Sequence, residues 1–274
     1  MKIVLTPNPY RDKQFRTVQQ ARKILEGCGV QTATCLPFDV DRDYELPKSI
    51  EFQDLNREIK DADMLVCFGG DGTILHASKI ATAHNLPILG INIGTMGFIA
   101  ELEAGELELL RRLPAGDYTI EPRSMIDVTV TGANGQRLLH ETALNDAVVT
   151  KGAIARVVQV SVYCDNVEAT SFSGDGVIIA TPTGSTAYSM SAGGPIVEPL
   201  AKTIVVSPER VISVKIGKIG RHNAYLSVDG GRAFRLNTGD VITTKASQKV
   251  TKLVRLKQTS FFEILNKKFI DRQR

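Results

Sequence analysis

Short apolar runs recur through the first hundred residues, and between them apolar side chains return every three or four positions. Residues 2–5, 30–36, 64–68 and 87–91 read as strands, while 15–26, 54–61 and 73–84 carry helical spacing. The first long helix places apolar residues at 15, 18, 21, 24 and 25, then stops at Gly27 and Gly29, where glycine ends a helix without strain. That alternation predicts an α/β N-terminal domain with an open, mostly parallel sheet, whose ligands sit at the carboxyl ends of the strands. Past Arg123 the pattern changes. Residues 125–130, 136–141, 147–150, 157–163, 177–180, 204–206, 211–214, 224–228 and 250–256 are short and rich in Val and Ile, which predicts a β-rich, sandwich-like C-terminal domain. Residues 261–269 are amphipathic and aromatic, and a C-terminal helix is expected there, packing back on the first domain. The expected organisation is 1–122, 123–258 and a tail at 259–274, with no repeat and no low-complexity linker.

Composition narrows the possibilities further. The 274 residues carry a net charge of +3, too little to argue for a nucleic-acid partner. The late basic residues, from Lys245 to Arg274, alternate with Val250, Leu253, Val254 and Leu256, as expected for a strand with one solvated face. Cys28, Cys35, Cys67 and Cys164 form no C-x-x-C pair and read as scattered residues of a reducing compartment. The first apolar run is too short for a signal peptide, and no segment approaches the ~20 apolar residues of a membrane span. A soluble cytoplasmic protein is expected, without a membrane partner.

The most informative segment is Phe68-Gly69-Gly70-Asp71-Gly72-Thr73, between a buried strand and a helix. Glycines there allow a ligand close to the backbone, and free N–H groups at a helix start favour an anion. No Lys-Ser/Thr follows, so this is not a Walker A loop, and G-x-G-x-x-G spacing is absent. Phosphate repels a carboxylate, so Asp71 points to a hydroxyl awaiting phosphorylation or to a metal. A glycine turn with Asp71 as a helix N-cap is the competing reading.

Two further segments carry polar chemistry. An apolar strand opens into residues 181–195, crowded with hydroxyls and glycines, where Tyr188 offers a ring face for a flat heterocycle. Asn145-Asp146 places an amide beside a carboxylate, enough to grip both hydroxyls of a ribose; an Asx-turn ahead of a strand is the alternative.

Taken together, Gly-Gly-Asp-Gly-Thr at 69–73, Gly-Ile-Asn-Ile-Gly-Thr-Met-Gly-Phe at 90–98, Asn145-Asp146, Thr-Pro-Thr-Gly-Ser-Thr-Ala-Tyr at 181–188 and Ser-Val-Asp-Gly-Gly at 227–231 closely resemble bacterial NAD kinases. The motifs stand in that family's order over nearly the whole chain. The first box is shared with diacylglycerol-type lipid kinases and phosphofructokinases; the box at 181–188 is far more specific. The resemblance implies phosphoryl transfer from ATP, another nucleoside triphosphate or polyphosphate to the adenosine-ribose 2′-hydroxyl of NAD, giving NADP. It makes Asp71 the proton acceptor. It makes Gly72, Asn145, Asp146, Asp175, Thr186, Ala187, Tyr188, Ser189, Met190 and Ser191 dinucleotide contacts, with His76 and Arg156 as basic or polar contacts. Ser173 stands where some members have Arg, which puts one phosphate contact in doubt. So few acidic candidates surround the glycine turn that the divalent ion, magnesium, is expected to be held mainly by triphosphate oxygens, with no protein metal site; the resemblance further implies a homodimer or homotetramer. Phosphoryl transfer relies on positioning and charge neutralisation, and a carboxylate is a weak base for a sugar hydroxyl. Asp71 is therefore expected to orient the hydroxyl and take its proton late, with a shared divalent ion as a further role. Two alternatives stand beside this: a lipid or sugar kinase using the same glycine turn, which residues 181–191 oppose by offering no groove for an acyl chain, and a non-catalytic dinucleotide-sensing module, which would have no use for Asp71.

Overall fold

In the computed structural model, which describes residues 1–94, 97–153, 156–201, 206–219 and 223–272, the chain divides into two compact units. One comprises Met1–Pro122 with Thr251–Arg274, the other Arg123–Val250. Residues 251–258, expected with the β-rich domain, thus belong to the first unit. Residues 204 and 205 of the expected strand at 204–206, and part of the turn at 94–98, lie outside the described residues.

In the first unit β1 (Lys2–Pro7), α1 (Arg16–Gly27), β2 (Gln31–Thr34), α2 (Leu55–Glu58), β3 (Met64–Phe68), α3 (Asp71–Ala83) and β4 (Pro87–Asn92) follow in alternation. The strands run parallel in the order β2-β1-β3-β4. A two-residue β5 (Leu102–Glu103) pairs with the end of β4. Every residue of β3 is buried, which is why its sequence reads as a continuous apolar run rather than an alternating one. One face of the sheet packs on α1 through Val18, Ala21, Ile24 and Leu25. The other packs on α3 through Ile74, Ala77 and Ala81. β3 thereby delivers the glycine turn to the carboxyl edge of the sheet.

The second unit is antiparallel. It contains β6 (Thr119–Thr131) from Arg123 onward, paired with β7 (Arg137–Ala143), then β8 (Asp146–Lys151), β9 (Val158–Cys164), β10 (Val167–Gly174) and β11 (Gly176–Ala180). The short helix α4 (Tyr188–Ser191), β12 (Ile212–Ile216), β13 (Ala224–Val228), β14 (Phe234–Leu236) and β15 (Val241–Arg255) as far as Val250 follow. One sheet has the order β11-β8-β13-β14; the other runs β10-β9-β12 to the start of β15. Val149 and Leu226 from the first meet Val160, Val214 and Ile242 from the second in a shared core, the sandwich-like arrangement expected.

Several local expectations change. β10 went unread because all but its last residue are exposed, so no burial pattern marks it. The hydroxyl-rich run expected as open loop holds a 3₁₀ turn at Thr183–Thr186 followed by α4. Helix α3 begins at Asp71, with Gly70 as its N-cap, so Asp71 does not cap its own helix.

The late basic strand is only partly solvated. Arg255 turns inward to Glu101 at 3.1 Å and Glu121 at 2.9 Å, all three largely buried. Glu101 also accepts from the N–H groups of Leu256 and Lys257. Within the first unit the end of this strand is thus held by two carboxylates as well as by its parallel pairing with β4. Terminal helix α5 (Phe261–Arg272) follows, and Lys268 lies 4.3 Å over the ring of Phe98. Replacing Glu101 with Ala would remove one of the two carboxylates on Arg255 and leave two N–H groups without their acceptor. A loss on the order of 3 kcal/mol is expected, measured by urea unfolding; a change under about 0.5 kcal/mol, the range of ordinary surface substitutions, would show that the carboxylate is dispensable.

Candidate functional site

The first unit carries Asp71, Gly72 and His76 on the opening turns of α3. The Asp71 carboxylate reaches away from its helix and accepts from the N–H groups of Phe98 at 2.8 Å and Ile99 at 3.1 Å. Each oxygen takes one donor, which leaves further lone pairs for a ligand. This clamp requires Gly97: a Cβ there would lie 2.0 Å from Asp71 Oδ1. Gly69 is equally constrained, since a Cβ would meet Thr73 Oγ1 at 2.3 Å. Gly70 and Gly72 differ. A Cβ at either meets nothing within 4 Å, and neither has a positive φ, so the fold itself does not require glycine at either position. His76 meets the ring of Phe38 edge-on at 5.6 Å, and desolvation together with Lys79 lowers its pKa.

In the second unit three chain segments converge because of strand direction. β8 lies between β11 and β13, both antiparallel to it, so both neighbours end where β8 begins: Ala180 pairs with Asp146, and Val228 with Ala147. Asn145-Asp146, Thr181 and Asp229 are thereby brought together. Asp229 accepts from the N–H groups of Leu144 at 2.8 Å, Asn145 at 2.7 Å and Asp146 at 3.1 Å. Thr181 donates its N–H to the Asn145 carbonyl at 2.8 Å and its hydroxyl to the Leu144 carbonyl at 2.5 Å. A Cβ at Gly184 would lie 1.9 Å from the Asn145 carbonyl oxygen, so the 3₁₀ turn can pack here only with glycine.

This scaffold leaves two side chains unsatisfied. Asn145 is 8 % exposed, and its Oδ1 is buried without a hydrogen-bond partner. An acceptor in that state favours a ligand donor. Asp146 is 5 % exposed, and burial, with Asp229 nearby, pushes its pKa up to about 6.

The hydroxyls of residues 181–186 are used internally. Ser185 Oγ donates to the Pro182 carbonyl and accepts from Val197 N–H, Thr186 donates to the Thr183 carbonyl, and Arg123 donates to Thr183 Oγ1. Tyr188 is 54 % exposed, its ring open to a ligand, with Ala187, Ser189 and Met190 partly buried and Ser191 exposed. Asp175 is exposed and paired with Lys151 at 2.5 Å, while Arg156 is exposed. No hydrogen bond joins either to the Asn145 cluster among the described residues.

Sequence reasoning singled out the motif at 227–231 but gave Asp229 no role. Its left-handed φ of 51° in an Asp-Gly turn was a readable turn signal; the three donors it collects were not. Among the described residues, no group of three or more His, Cys, Asp and Glu side chains is placed to hold a metal ion.

Comparison with known proteins begins with the class. A model of the ATP-NAD kinase N-terminal domain matches residues 12–118, and one of the ATP-NAD kinase C-terminal domain matches residues 144–256. The fold is shared with a yeast NADH kinase complexed with NADH, at 22 % identity and TM-score 0.82, covering 98 % of this chain and 87 % of that one. An NAD kinase from Archaeoglobus fulgidus in complex with ATP superposes at 26 % identity and TM-score 0.69, with 98 % of both chains covered. The chain is thus a phosphotransferase with the two-domain ATP-NAD kinase fold. The NAD kinase of Acetivibrio thermocellus is 33 % identical over 99 % of this chain and 98 % of its own length. That of Lachnoclostridium phytofermentans is 36 % identical over 99 % of both. This chain belongs to the NAD kinase family. The lipid-or-sugar-kinase and sensing-module alternatives give way.

Two outcomes test the scaffold. Asp229→Ala would leave three backbone donors without their acceptor, at ~1–3 kcal/mol each, and should lower Tm together with NAD affinity. Unchanged NAD affinity in the folded variant would separate Asp229 from the site. The raised pKa of Asp146 fixes a second sign. Its contribution to stability is complete below the unfolded value of 3.8 and is lost as pH rises through about 6. Asp146→Asn should therefore gain stability relative to the parent protein between these values; a pH-independent difference in Tm would contradict the assignment.

Proposed function

We propose a division of labour for the reaction this family member carries out, the phosphorylation of NAD by ATP or another nucleoside triphosphate to give NADP. The first unit supplies Asp71, and the second is the NAD-binding unit. The observation that carries this is the Asp71 carboxylate, held by two backbone donors next to glycines whose Cβ positions stand open. The adenosine-ribose 2′-hydroxyl attacks the terminal phosphorus; its new O–P bond forms as the bond to the bridging oxygen breaks, and the nucleoside diphosphate departs. Asp71 orients the hydroxyl and takes its proton late, then passes it to solvent.

Asn145 and Asp146 accept from ribose hydroxyls, an assignment supported by the vacant Asn145 Oδ1. Tyr188 gives a ring face, and the chain around Thr186, Ala187, Ser189, Met190 and Ser191 completes the dinucleotide contacts. Gly72 permits close approach; His76, Arg156 and Asp175 serve as further polar contacts. Magnesium enters with the triphosphate substrate, held mainly by its oxygens. Polyphosphate is an alternative donor.

Assembly as a homodimer or homotetramer is supported by edge strand β10, whose Val167 and Phe172 are exposed. No helix among the described residues is long and apolar enough to cross a membrane, and all four cysteines are free, which supports a cytoplasmic location.

Incubating the purified chain with NAD, ATP and magnesium, with NADP read by an NADP-specific dehydrogenase, tests the reaction; absence of NADP would overturn it. Asp71→Asn gives up one of the two backbone acceptors, so Tm should fall modestly while kcat falls by ~10²–10⁴-fold in the folded protein, and turnover near that of the parent protein would remove Asp71 from the chemistry. Gly72→Ala gives opposed signs. Alanine favours the helix by ~1 kcal/mol, so Tm should hold or rise while substrate affinity falls. Unimpaired affinity would show that no ligand approaches Gly72.

A further inference from the structure

Terminal helix α5 turns one face inward within the first unit. Phe261, Ile264, Leu265 and Lys268 are half-buried, and the positions between them are exposed. These four follow the i, i+3, i+4, i+7 spacing of a packed helix face. Lysine thus stands where that spacing asks for an apolar residue. The helix start is fixed by two devices. Lys257 Nζ pairs with Glu106 at 2.8 Å just ahead of it. Ser260 and Glu263 then cap it reciprocally: Ser260 N–H donates to Glu263 Oε2 at 2.7 Å, and Glu263 N–H to Ser260 Oγ at 3.2 Å. Lys268 follows about two turns later, and its ammonium reaches the face of Phe98, 4.3 Å from the ring centroid. A lysine stem packs as an apolar chain does while its charged end goes elsewhere. Here that end meets a ring face, whose negative potential attracts a cation.

Phe98 is also the residue whose N–H donates to Asp71 Oδ2, at 2.8 Å. The peptide carrying this donor follows Gly97, a position where sterics demand glycine and the backbone is therefore permissive. The residues beyond are anchored from elsewhere. Ile99 is 3 % exposed and packs in the core beneath α3, and its carbonyl accepts from Arg255 Nη1 at 3.2 Å. Glu101 N–H donates to the Gly90 carbonyl at 2.9 Å. Phe98 lies between the permissive glycine and that anchored stretch, and its ring is a handle on its own amide.

We propose that Lys268 is a positioning residue for the phosphoryl transfer: it holds the Phe98 ring, and with it the amide that aims the Asp71 carboxylate. The inference rests on the role of Asp71 proposed above and extends it to the terminal helix. Charge and packing separate cleanly here. Methionine keeps an unbranched apolar stem and a similar helix preference, so a lysine that only packs is replaced by it without loss. A lysine that acts through its charge is not, whereas arginine, which also binds a ring face, can stand in for it.

The test compares full-length Lys268→Met, Lys268→Arg, Phe98→Leu and the double variant Lys268→Met/Phe98→Leu. Lys268→Met should keep its Tm and both KM values while kcat falls by about 2- to 30-fold, the span from exposed to desolvated cation–ring contacts. Lys268→Arg should recover most of that loss. Phe98→Leu should also lower kcat, and adding Lys268→Met to it should cost nothing further, because the lysine then has no ring to hold. A second readout needs no turnover: the Phe98 amide should exchange its hydrogen faster in Lys268→Met than in the parent protein. Parent-like kcat in Lys268→Met would overturn the proposal, as would an equal further loss in the Phe98→Leu background. A rise in KM for NAD at constant kcat would place the lysine on the substrate, and a lowered Tm with unchanged exchange at Phe98 would leave it a packing role; either result rejects positioning. The two readings fail separately: faster exchange at Phe98 in a Lys268→Met protein whose parent makes no NADP would uphold the hold on the clamp and reject the kinase reaction.

Discussion

Two backbone N–H groups, those of Phe98 and Ile99, fix the Asp71 carboxylate, and the geometry of the glycine turn depends on that clamp. An acidic residue in the first turn of a helix ordinarily lends its charge to its own N-terminus. Here the bonded donors come from a segment after β4, so the carboxylate is pulled off its helix toward the carboxyl edge of the sheet. Gly97 makes this possible by leaving the space a Cβ would fill. Gly69 does the same for Thr73, whose hydroxyl in turn accepts from Asn8. Small residues therefore serve two separate ends at this turn: at 69 and 97 they admit the protein's own side chains, at 70 and 72 they leave room for something else.

The second unit uses the same kind of bond to a different end. Asp229 accepts three consecutive backbone donors and becomes part of the framework. Its effect is to hold Asn145 and Asp146 with their side chains turned to unfavourable surroundings: one amide oxygen without a partner and one carboxyl group with a raised pKa. Both carry a free-energy cost in the free protein. Under the proposed reaction ribose hydroxyls relieve it, so part of the discrimination against ligands lacking those hydroxyls is built in before NAD arrives.

Much of this was legible in the chain, unevenly and for physical reasons. Buried parallel strands announce themselves as unbroken apolar runs, so β3 and the turn after it could be read directly. The exposed edge strand β10 has no buried face to imprint a pattern, and it was missed. Candidate residues were readable as types in a motif order; their partners were not. Nothing local says that β11 and β13 run antiparallel on either side of β8, yet that alone brings Thr181 and Asp229 to Asn145.

The hydroxyl-rich run at 181–191 shows how composition can mislead about mechanism while pointing to the right place. Its wealth of Ser and Thr suggested many donors waiting for a ligand. In the folded unit Thr181, Thr183, Ser185 and Thr186 are buried and bonded to their own chain, tying a 3₁₀ turn to the Asn145 backbone and to Val197. Those bonds make a stiff corner, and what remains outside it is chiefly the exposed Tyr188 ring and the short helix that carries it. A stiff support lowers the entropy lost when a ligand is held. Under the proposed reaction the hydroxyls thus act through the shape they enforce, and the dinucleotide meets the ring and backbone they present.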